Sequence, residues 1–319
     1  MNPAGREMAS SVSAVIPTYN RRAFIVRALE SILDQDPQPA QILVVDDGST
    51  DGTADLIRER FGPRVQLVTQ ANGGNAVARR RGVSEATGEW IAFLDDDDEW
   101  TPGRTARLLD AAARVPPDVA WIFGDTGVVT DAGPAATLFQ EHGLKLLGEL
   151  EIFDDPLRVQ FPYQFGLFQS SLIRRSALLE TDGFSPLLRS SVDVLAGFKI
   201  ACRYRFAAIP FVVTRLSRTT NLRESSVFLS GLHSPDYYRA RILSFALAAE
   251  VDRRGPWRRL HQDAVRGYCL ARAREGHTER LQALAQFRYG ASLKAVAFFC
   301  VSLLGLPGIA AWNSARRWF

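Results

Sequence analysis

Four consecutive carboxylates directly behind a short apolar run constrain this chain more than any other feature. The run WIAFL at residues 90–94 predicts a buried β-strand, and Asp95, Asp96, Asp97 and Asp98 follow at its carboxyl end. Adjacent like charges repel one another, so a bound cation or strong hydrogen-bond donors must offset them. Because ligands of open α/β sheets bind beyond the carboxyl ends of strands, we expect a divalent-metal site that binds a diphosphate. A solvated acidic turn that starts the next helix is the alternative.

Strands and helices alternate through the first 125 residues. Short apolar runs predict strands at residues 12–16, 42–45, 65–69, 90–94 and 119–123. Apolar spacing and helix-start signals predict helices at residues 21–35, 53–61, 75–86 and 102–113. This alternation is typical of an α/β fold in which helices flank a mostly parallel, doubly wound sheet. The first, second and fourth strands then bring Tyr19, Asp46 and the acidic run to one crevice.

The remainder of the chain is less regular until its helical end. Residues 127–155 predict a hairpin and a loop, and a strand, two helices and a further strand are predicted at 168–173, 175–180, 193–204 and 206–211. Pro210 is expected to break the last strand. Beyond residue 236 the pattern is helical. We therefore expect one domain at 1–225, with halves at about 12–125 and 126–225, and a helical extension at 226–319.

Composition indicates a globular protein of a reducing compartment. Hydrophobic residues make up 46% of the 319, which is enough for a sizeable core. Cys202, Cys269 and Cys300 have no paired spacing, which argues against a disulfide framework or a zinc site. The four histidines form no HExxH pattern, so histidine-based metal chemistry is not expected. Residues 1–11 lack the apolar core of a secretory signal, and a cytoplasmic location is expected.

The C-terminal part of the chain is basic. Residues 253–319 hold twelve Lys and Arg against three acidic residues, while the whole chain has a net charge of +3. Residues 295–315 are uncharged, but Gly305, Pro307 and Gly308 interrupt them, so a single membrane span is the least favoured interpretation. A peripheral membrane contact through 291–319 agrees better with the composition, with packing on the protein or a dimer contact as alternatives. No recognition motif points to nucleic acid as a partner.

Three motifs in order resemble those of the family-2 glycosyltransferases with a GT-A fold. They are AVIPTYN at residues 14–20, VVDDGSTDGT at 44–53 and FLDDDDEW at 93–100. The resemblance is dense over residues 12–105 and looser to about 225. It implies inverting transfer of a sugar from a nucleoside diphosphate, most simply a UDP-sugar, to a saccharide or lipid-linked acceptor. The implied setting is surface polysaccharide or glycolipid synthesis at the inner face of the cell membrane.

The resemblance assigns the donor-binding residues to the first three motifs and the helix between them. Pro17 and Tyr19 would lie against the nucleotide base, where an aromatic face suits stacking. Asp46 would accept a hydrogen bond from the base, and Arg79 falls where the family usually has an arginine. The ordinary alternatives are a half-buried turn tyrosine and, for the aspartate, a loop role.

The family's DXD motif maps to Asp95, Asp96 and Asp97. Asp97 would bind Mn²⁺ or Mg²⁺, Asp96 would contact the ribose or support the metal, and Asp95 would take part in holding the donor. Such hard cations prefer oxygen ligands and usually share substrate phosphates. When bound, the metal would neutralise charge on the departing nucleoside diphosphate.

Two positions in the second half of the domain depart from the family pattern. Asp193 keeps the position of the catalytic base, but Val192 replaces the glutamate that usually precedes it. Arg218 stands where many relatives have a histidine near the metal or diphosphate, and arginine can pair with a diphosphate but cannot ligate a metal. A helix N-cap is the alternative role for Asp193.

Three other classes of protein remain as rivals. A sugar-nucleotide-binding protein without transferase activity is conceivable because of Val192 and Arg218. A nucleotidyltransferase would share the sheet and the acidic site, but it normally needs a Gly-rich phosphate loop after the first strand, where this chain has PTYN. A dinucleotide-dependent dehydrogenase is disfavoured because GxGxxG is missing there.

Overall fold

A computed structural model describes residues 11–157, 159, 168–185, 188, 191–218, 235–252, 255–257 and 259–264. The chain divides into two compact units, Met1–Val227 and Phe228–Phe319. The first unit carries the sheet. In the second unit, a helix spans Pro235–Val251.

Parallel strands form the first half of the sheet. β1 pairs with β2 on one side and with β4 on the other, and β2 pairs with β3, all in parallel. The four strands are β1 (Val12–Thr18), β2 (Gln41–Asp46), β3 (Gln66–Thr69) and β4 (Trp90–Phe93). Each lies within two residues of its predicted position, and the parallel arrangement of this half is confirmed.

The second half of the sheet is mixed, because antiparallel strands enter it. Its strands are β5 (Glu99–Trp100), β6 (Val119–Thr130), β7 (Gly133–Pro134), β8 (Glu151–Phe153), β9 (Ser171–Arg174) and β10 (Arg205–Arg218). The order across the sheet is β3-β2-β1-β4-β9-β6-β10-β5, with β7 on β6 and β8 on β10. β9 runs antiparallel to both β4 and β6, and it therefore joins the two halves.

The predicted strand end at Pro210 is wrong. β10 continues to Arg218, and its pairing with β6 shifts register between Ala208 and Val212. A bulge of this kind leaves a residue outside the ladder, so a proline without an N–H is tolerated within the strand.

Most helices of the first unit lie close to the predicted places, and the short α5 lies where a hairpin and a loop were predicted. The helices of the first unit are α1 (Ile25–Leu33), α2 (Thr53–Phe61), α3 (Asn75–Glu85), α4 (Arg104–Arg114), α5 (Leu138–His142), α6 (Arg175–Glu180) and α7 (Val192–Ala201), and α8 (Pro235–Val251) belongs to the second unit. Helix α3 lies against β1 so closely that a Cβ on Gly82 would come 2.3 Å from Val15 Cγ1. Glycine is therefore needed at this crossing of α3 and β1.

The predicted membrane contact at residues 291–319 lies outside the described residues. Among the helices that the structure does describe, none combines the length and the apolar character that a membrane crossing requires.

Candidate functional site

The loops after β1 and β2 are tied together at the carboxyl ends of these strands. Thr18 and Asp46 are register partners, and Asn20 joins the two loops by donating from its N–H to Ser49 Oγ at 2.9 Å and accepting from the Thr50 N–H at 2.8 Å. Tyr19 is 46% exposed, so its ring is accessible to a ligand. Asp46 is buried and accepts a hydrogen bond from the Ser49 N–H at 3.0 Å. Tyr19 and Asp46 thus lie at the same edge of the sheet.

Pro17 and Asp47 have roles within the protein itself. Pro17 is buried in β1 opposite Val45. The Asp47 carboxylate accepts hydrogen bonds from the N–H groups of Gly73 at 2.9 Å and Gly74 at 2.8 Å. Asp47 therefore fixes the loop that leads into α3.

Arg79 on α3 reaches the first aspartate of the acidic run. Its guanidinium donates to Asp95 at 2.6 Å, although the arginine side chain is only 4% exposed. The rings of Phe93, Phe168 and Phe184 surround the guanidinium carbon at 5.8, 5.6 and 6.0 Å. Aromatic faces attract a cation and keep it in place. The structure therefore places Arg79 and Asp95 together, beyond the carboxyl end of β4.

Asp96 and Asp98 lie in the tight turn after Asp95 and have different hydrogen-bond partners. Asp96 is buried, accepts a hydrogen bond from Thr18 Oγ1 at 2.7 Å and pairs with Arg21 at 3.8 Å. Burial raises its pKa to about 7, against the opposing hydrogen bond from Thr18. Asp98 is buried too, and the Ser217 N–H donates to it at 3.3 Å. Burial and the charges of Asp97 and Asp95 hold the pKa of Asp98 well above its usual range.

Asp97 combines partial burial with an unfavourable charge environment. Burial and the neighbouring Asp95 raise its pKa, while Arg21 and Arg27 lower it. Among the described residues, no side chain or backbone N–H of another residue donates a hydrogen bond to its carboxylate. Its oxygens are therefore open to a ligand of positive charge.

The carboxylates of the acidic turn are oxygen ligands of the kind that a divalent cation prefers. The described residues contain no group of three or more His, Cys, Asp or Glu side chains arranged to hold a metal. Mg²⁺ and similar hard cations at diphosphate sites, however, usually take one or two carboxylates and complete their shell with water and phosphate oxygens. Burial is the largest cause of the raised pKa values of Asp96, Asp97 and Asp98, and neighbouring carboxylates raise them further, so a bound cation would favour the ionised forms. The turn therefore fits a cation that arrives with its diphosphate.

Asp193 lies in the first turn of α7, near the Arg79–Asp95 pair. Burial raises its pKa, the Arg79 guanidinium lowers it, and the Asp95 carboxylate raises it. Ser191 occupies the N-cap position of α7, so Asp193 is not the residue that caps this helix. The structure thus places Asp193, the residue predicted as the base, near Arg79 and Asp95.

Arg218 is placed only by its backbone. It ends β10 opposite Thr130, and its side chain lies outside the described residues. Ser170 and Ser171 are buried, and Ser171 Oγ accepts a hydrogen bond from Trp121 Nε1 at 2.6 Å. Ser171 therefore stabilises the core.

Sequence reasoning missed Thr18, Arg21 and Gln169. Thr18 and Arg21 contact Asp96, and the Gln169 amide donates to Asp95. Thr18 lies inside the first motif, so its position at a strand end was a usable signal. No spacing in the sequence indicates Gln169, because β9 carries it to the site from 74 residues away.

The family model described as "Glycosyl transferase family 2" matches residues 13–178, slightly more than half of the chain. The match identifies a glycosyltransferase domain. The chain belongs to this family.

The chain is also similar in sequence to curated proteins. The succinoglycan biosynthesis protein ExoO of Rhizobium meliloti is 32% identical over 215 residues, which are 66% of this chain and 61% of that protein. A Campylobacter jejuni protein, GalNAc(5)-diNAcBac-PP-undecaprenol beta-1,3-glucosyltransferase, is 29% identical over 177 residues, 53% of this chain and 55% of that protein. The matched part thus spans less than two thirds of either relative.

Solved structures share the fold. S. aureus TarS 1-349 in complex with UDP-GlcNAc has a TM-score of 0.59 and 20% identity, and the match covers 87% of this chain and 76% of that chain. The same protein in complex with UDP gives a TM-score of 0.57 at 19% identity, over 88% of this chain and 75% of that chain. The predicted α/β fold is confirmed.

Ionisation of Asp96 is expected to cost stability. Its pKa is about 7 in the folded protein and 3.8 as the ordinary value, so the cost is absent below pH 3.8 and complete above pH 7. We expect Asp96→Asn to raise the free energy of unfolding at pH 8 by on the order of 3 kcal/mol more than at pH 5. Urea unfolding at both pH values measures the difference. Asp110→Asn on the exposed face of α4 is the control, and equal effects of the two substitutions would contradict this prediction.

Proposed function

We propose that this protein is a metal-dependent, inverting glycosyltransferase that moves a sugar from a nucleoside diphosphate to an acceptor hydroxyl. The main support is the position of Asp193 near Arg79 and Asp95, at the edge where β1, β2 and β4 end. A carboxylate of the second half of the domain thereby lies beside residues of the nucleotide half. Family membership supports the reaction class.

The donor side consists of the residues that the first three motifs supply. The exposed Tyr19 ring stacks on the base, Pro17 keeps the chain extended beneath it, and Asp46 accepts a hydrogen bond from the base. Arg79 and Asp95 form the wall behind the diphosphate, and their ion pair is shielded by aromatic rings. Arg218 is proposed to pair with the diphosphate from the end of β10.

The acidic turn holds the metal. Asp97 provides the direct ligand, and Asp96 supports it from a position fixed by Thr18. When bound, Mn²⁺ or Mg²⁺ neutralises charge on the leaving diphosphate.

Asp193 acts as the general base. Its burial raises its pKa, which brings it closer to neutral pH and makes it a better proton acceptor than an exposed aspartate. The acceptor hydroxyl gives its proton to a carboxylate oxygen of Asp193 and attacks the anomeric carbon as the bond to the diphosphate breaks. A single displacement of this kind inverts the configuration at that carbon.

A UDP-sugar is the proposed donor, and a saccharide or lipid-linked glycan is the proposed acceptor. TarS, which shares the fold, was solved with UDP and with UDP-GlcNAc. The names of two relatives refer to succinoglycan biosynthesis and to an undecaprenol-linked glycan. Work on a lipid-linked acceptor would take place at the cytoplasmic face of a membrane, and the basic segment 291–319 would supply a peripheral contact.

Thermal shift with a panel of nucleoside diphosphates tests the donor proposal. A ligand that binds only the folded state raises Tm, so UDP and Mn²⁺ together are expected to raise it by several degrees more than the two separate shifts combined. ADP and GDP with Mn²⁺ serve as matched controls. Equal shifts for all three nucleotides, with or without metal, would contradict a metal-dependent uridine site.

A sugar-nucleotide-binding protein without transferase activity is the second candidate, because Val192 replaces the usual glutamate. The same panel separates the two functions when followed by an assay for released UDP. Transfer or slow hydrolysis is expected for the enzyme. Binding without release, under every acceptor tried, would favour the binding protein.

A further inference from the structure

Gln169 contacts the acidic turn from the opposite half of the sheet. It lies in the short 3₁₀ turn Phe168–Ser170 directly before β9, and its side-chain amide donates to Asp95 Oδ2. Its backbone carbonyl accepts from Thr214 Oγ1 at 2.7 Å and from the buried Arg104 at 3.3 Å. Two donors from different elements therefore fix Gln169 before its side chain reaches Asp95.

The other end of the Gln169 amide is left without a partner. Its Oε1 is buried and accepts no hydrogen bond from the described residues. A buried acceptor without a donor costs about 1–3 kcal/mol. Such a cost in a native structure calls for an explanation.

Gln35 is a buried glutamine of the same domain whose side-chain amide has only structural hydrogen-bond partners. It is buried, its Nε2 donates to the carbonyls of Ser31 and Thr101, both at 3.0 Å, and its Oε1 accepts from the Thr105 N–H at 3.1 Å. Both ends of that amide are satisfied. Gln169 satisfies only the end that faces Asp95, so packing alone does not explain the choice of glutamine there.

The hydrogen bond from Gln169 to Asp95 matters because Arg79 interacts electrostatically with two carboxylates. It pairs with Asp95 at 2.6 Å, and its charge also lowers the pKa of Asp193, although the two form no ion pair in this structure. The Asp95 side chain is 28% exposed and is held on its second oxygen by Gln169. Without that hydrogen bond, Arg79 alone would hold the Asp95 carboxylate against rotation toward water.

We propose that Gln169 is a positioning residue, which holds the Asp95 carboxylate on Arg79 and so keeps the Arg79 guanidinium from pairing with Asp193. This inference rests on the proposed role of Asp193 as the base. An ion pair between Arg79 and Asp193 would occupy the lone pairs that have to accept the proton of the acceptor hydroxyl. Gln169 thus affects the reaction through Asp95 and Arg79 and does not contact the reacting atoms.

The test is Gln169→Met, which keeps the length of the side chain and removes its N–H donors. Using the sugar nucleotide that gives the largest thermal shift, we expect kcat to fall on the order of 10- to 100-fold, as for other misplaced catalytic groups. KM for the donor is expected to change by a smaller factor than kcat, since Tyr19, Asp46 and Asp97 are not altered by the substitution. A crystal structure of the variant is expected to show Arg79 within ion-pair distance of Asp193.

Two further variants separate positioning from packing. Gln169→Glu keeps the shape but places a carboxylate against Asp95, and it is expected to lose at least as much kcat as Gln169→Met. Gln35→Met removes a structural glutamine and is expected to lower Tm while kcat at 20 °C is unchanged. A Gln169→Met protein with the kcat of the wild type, or with Arg79 still on Asp95 in its crystal structure, would overturn the inference. Wild-type protein that binds sugar nucleotides and turns none of them over would instead overturn the proposed function.

Discussion

Asp97→Asn protein is expected to bind its sugar nucleotide no better with Mn²⁺ than without it, and to lose about 10³-fold in kcat. The metal has to offset charge on the departing diphosphate, a contribution of several kcal/mol, and each 1.36 kcal/mol corresponds to about tenfold in rate. Asp97 is the carboxylate of the turn to which no other described residue donates a hydrogen bond. An asparagine oxygen in its place carries no charge, so it holds a divalent cation far less well.

The same substitution should not destabilise the metal-free protein. Burial and the charge of Asp95 raise the pKa of Asp97, which means that its ionised form is unfavourable in the folded state. We therefore expect the metal-free Asp97→Asn protein to have a Tm at pH 7.5 equal to or above that of the wild type. Asp55→Asn, on the exposed face of α2, is a matched control that should keep the full metal response. An Asp97→Asn protein with the metal response and kcat of the wild type would show that the cation is held elsewhere.

The nucleotide half of the fold could be predicted because its signals are local. Apolar runs of four to six residues mark β1, β2 and β4, and the helices between them carry their own periodicity. Parallel strands joined by helices must end at the same edge, so the meeting of Tyr19, Asp46 and the acidic turn follows from topology alone. The choice of Arg79, by contrast, depended on the resemblance to the family pattern.

The second half could not be predicted in the same way, because its arrangement depends on contacts distant in sequence. β9 is inserted antiparallel between β4 and β6, and only this insertion brings Gln169 to Asp95. Arg104 looks like an ordinary polar residue of a helix start, yet it is fully buried and lies 3.8 Å from the centre of the Trp100 ring. A polar residue that is buried through such partners carries no periodic signal in the sequence.

Asp193→Asn protein is expected to bind the nucleoside diphosphate and Mn²⁺ as the wild type does, within about threefold, while kcat falls on the order of 10³-fold. General base catalysis contributes typically 10²- to 10⁴-fold, and an amide cannot accept the proton of the acceptor hydroxyl. Folding is not expected to suffer, because burial raises the pKa of Asp193 and a neutral amide avoids the cost of burying the ionised carboxylate.

Asp182→Asn is the matched control. Asp182 pairs with Arg80 at 3.4 Å and has a φ of +47°, a conformation that asparagine tolerates. Calorimetry of UDP binding and a UDP-release assay, run on both variants, measure the two effects separately. Normal turnover by the Asp193→Asn protein would remove Asp193 from the mechanism, whereas loss of turnover in both variants would indicate a general disturbance around α7.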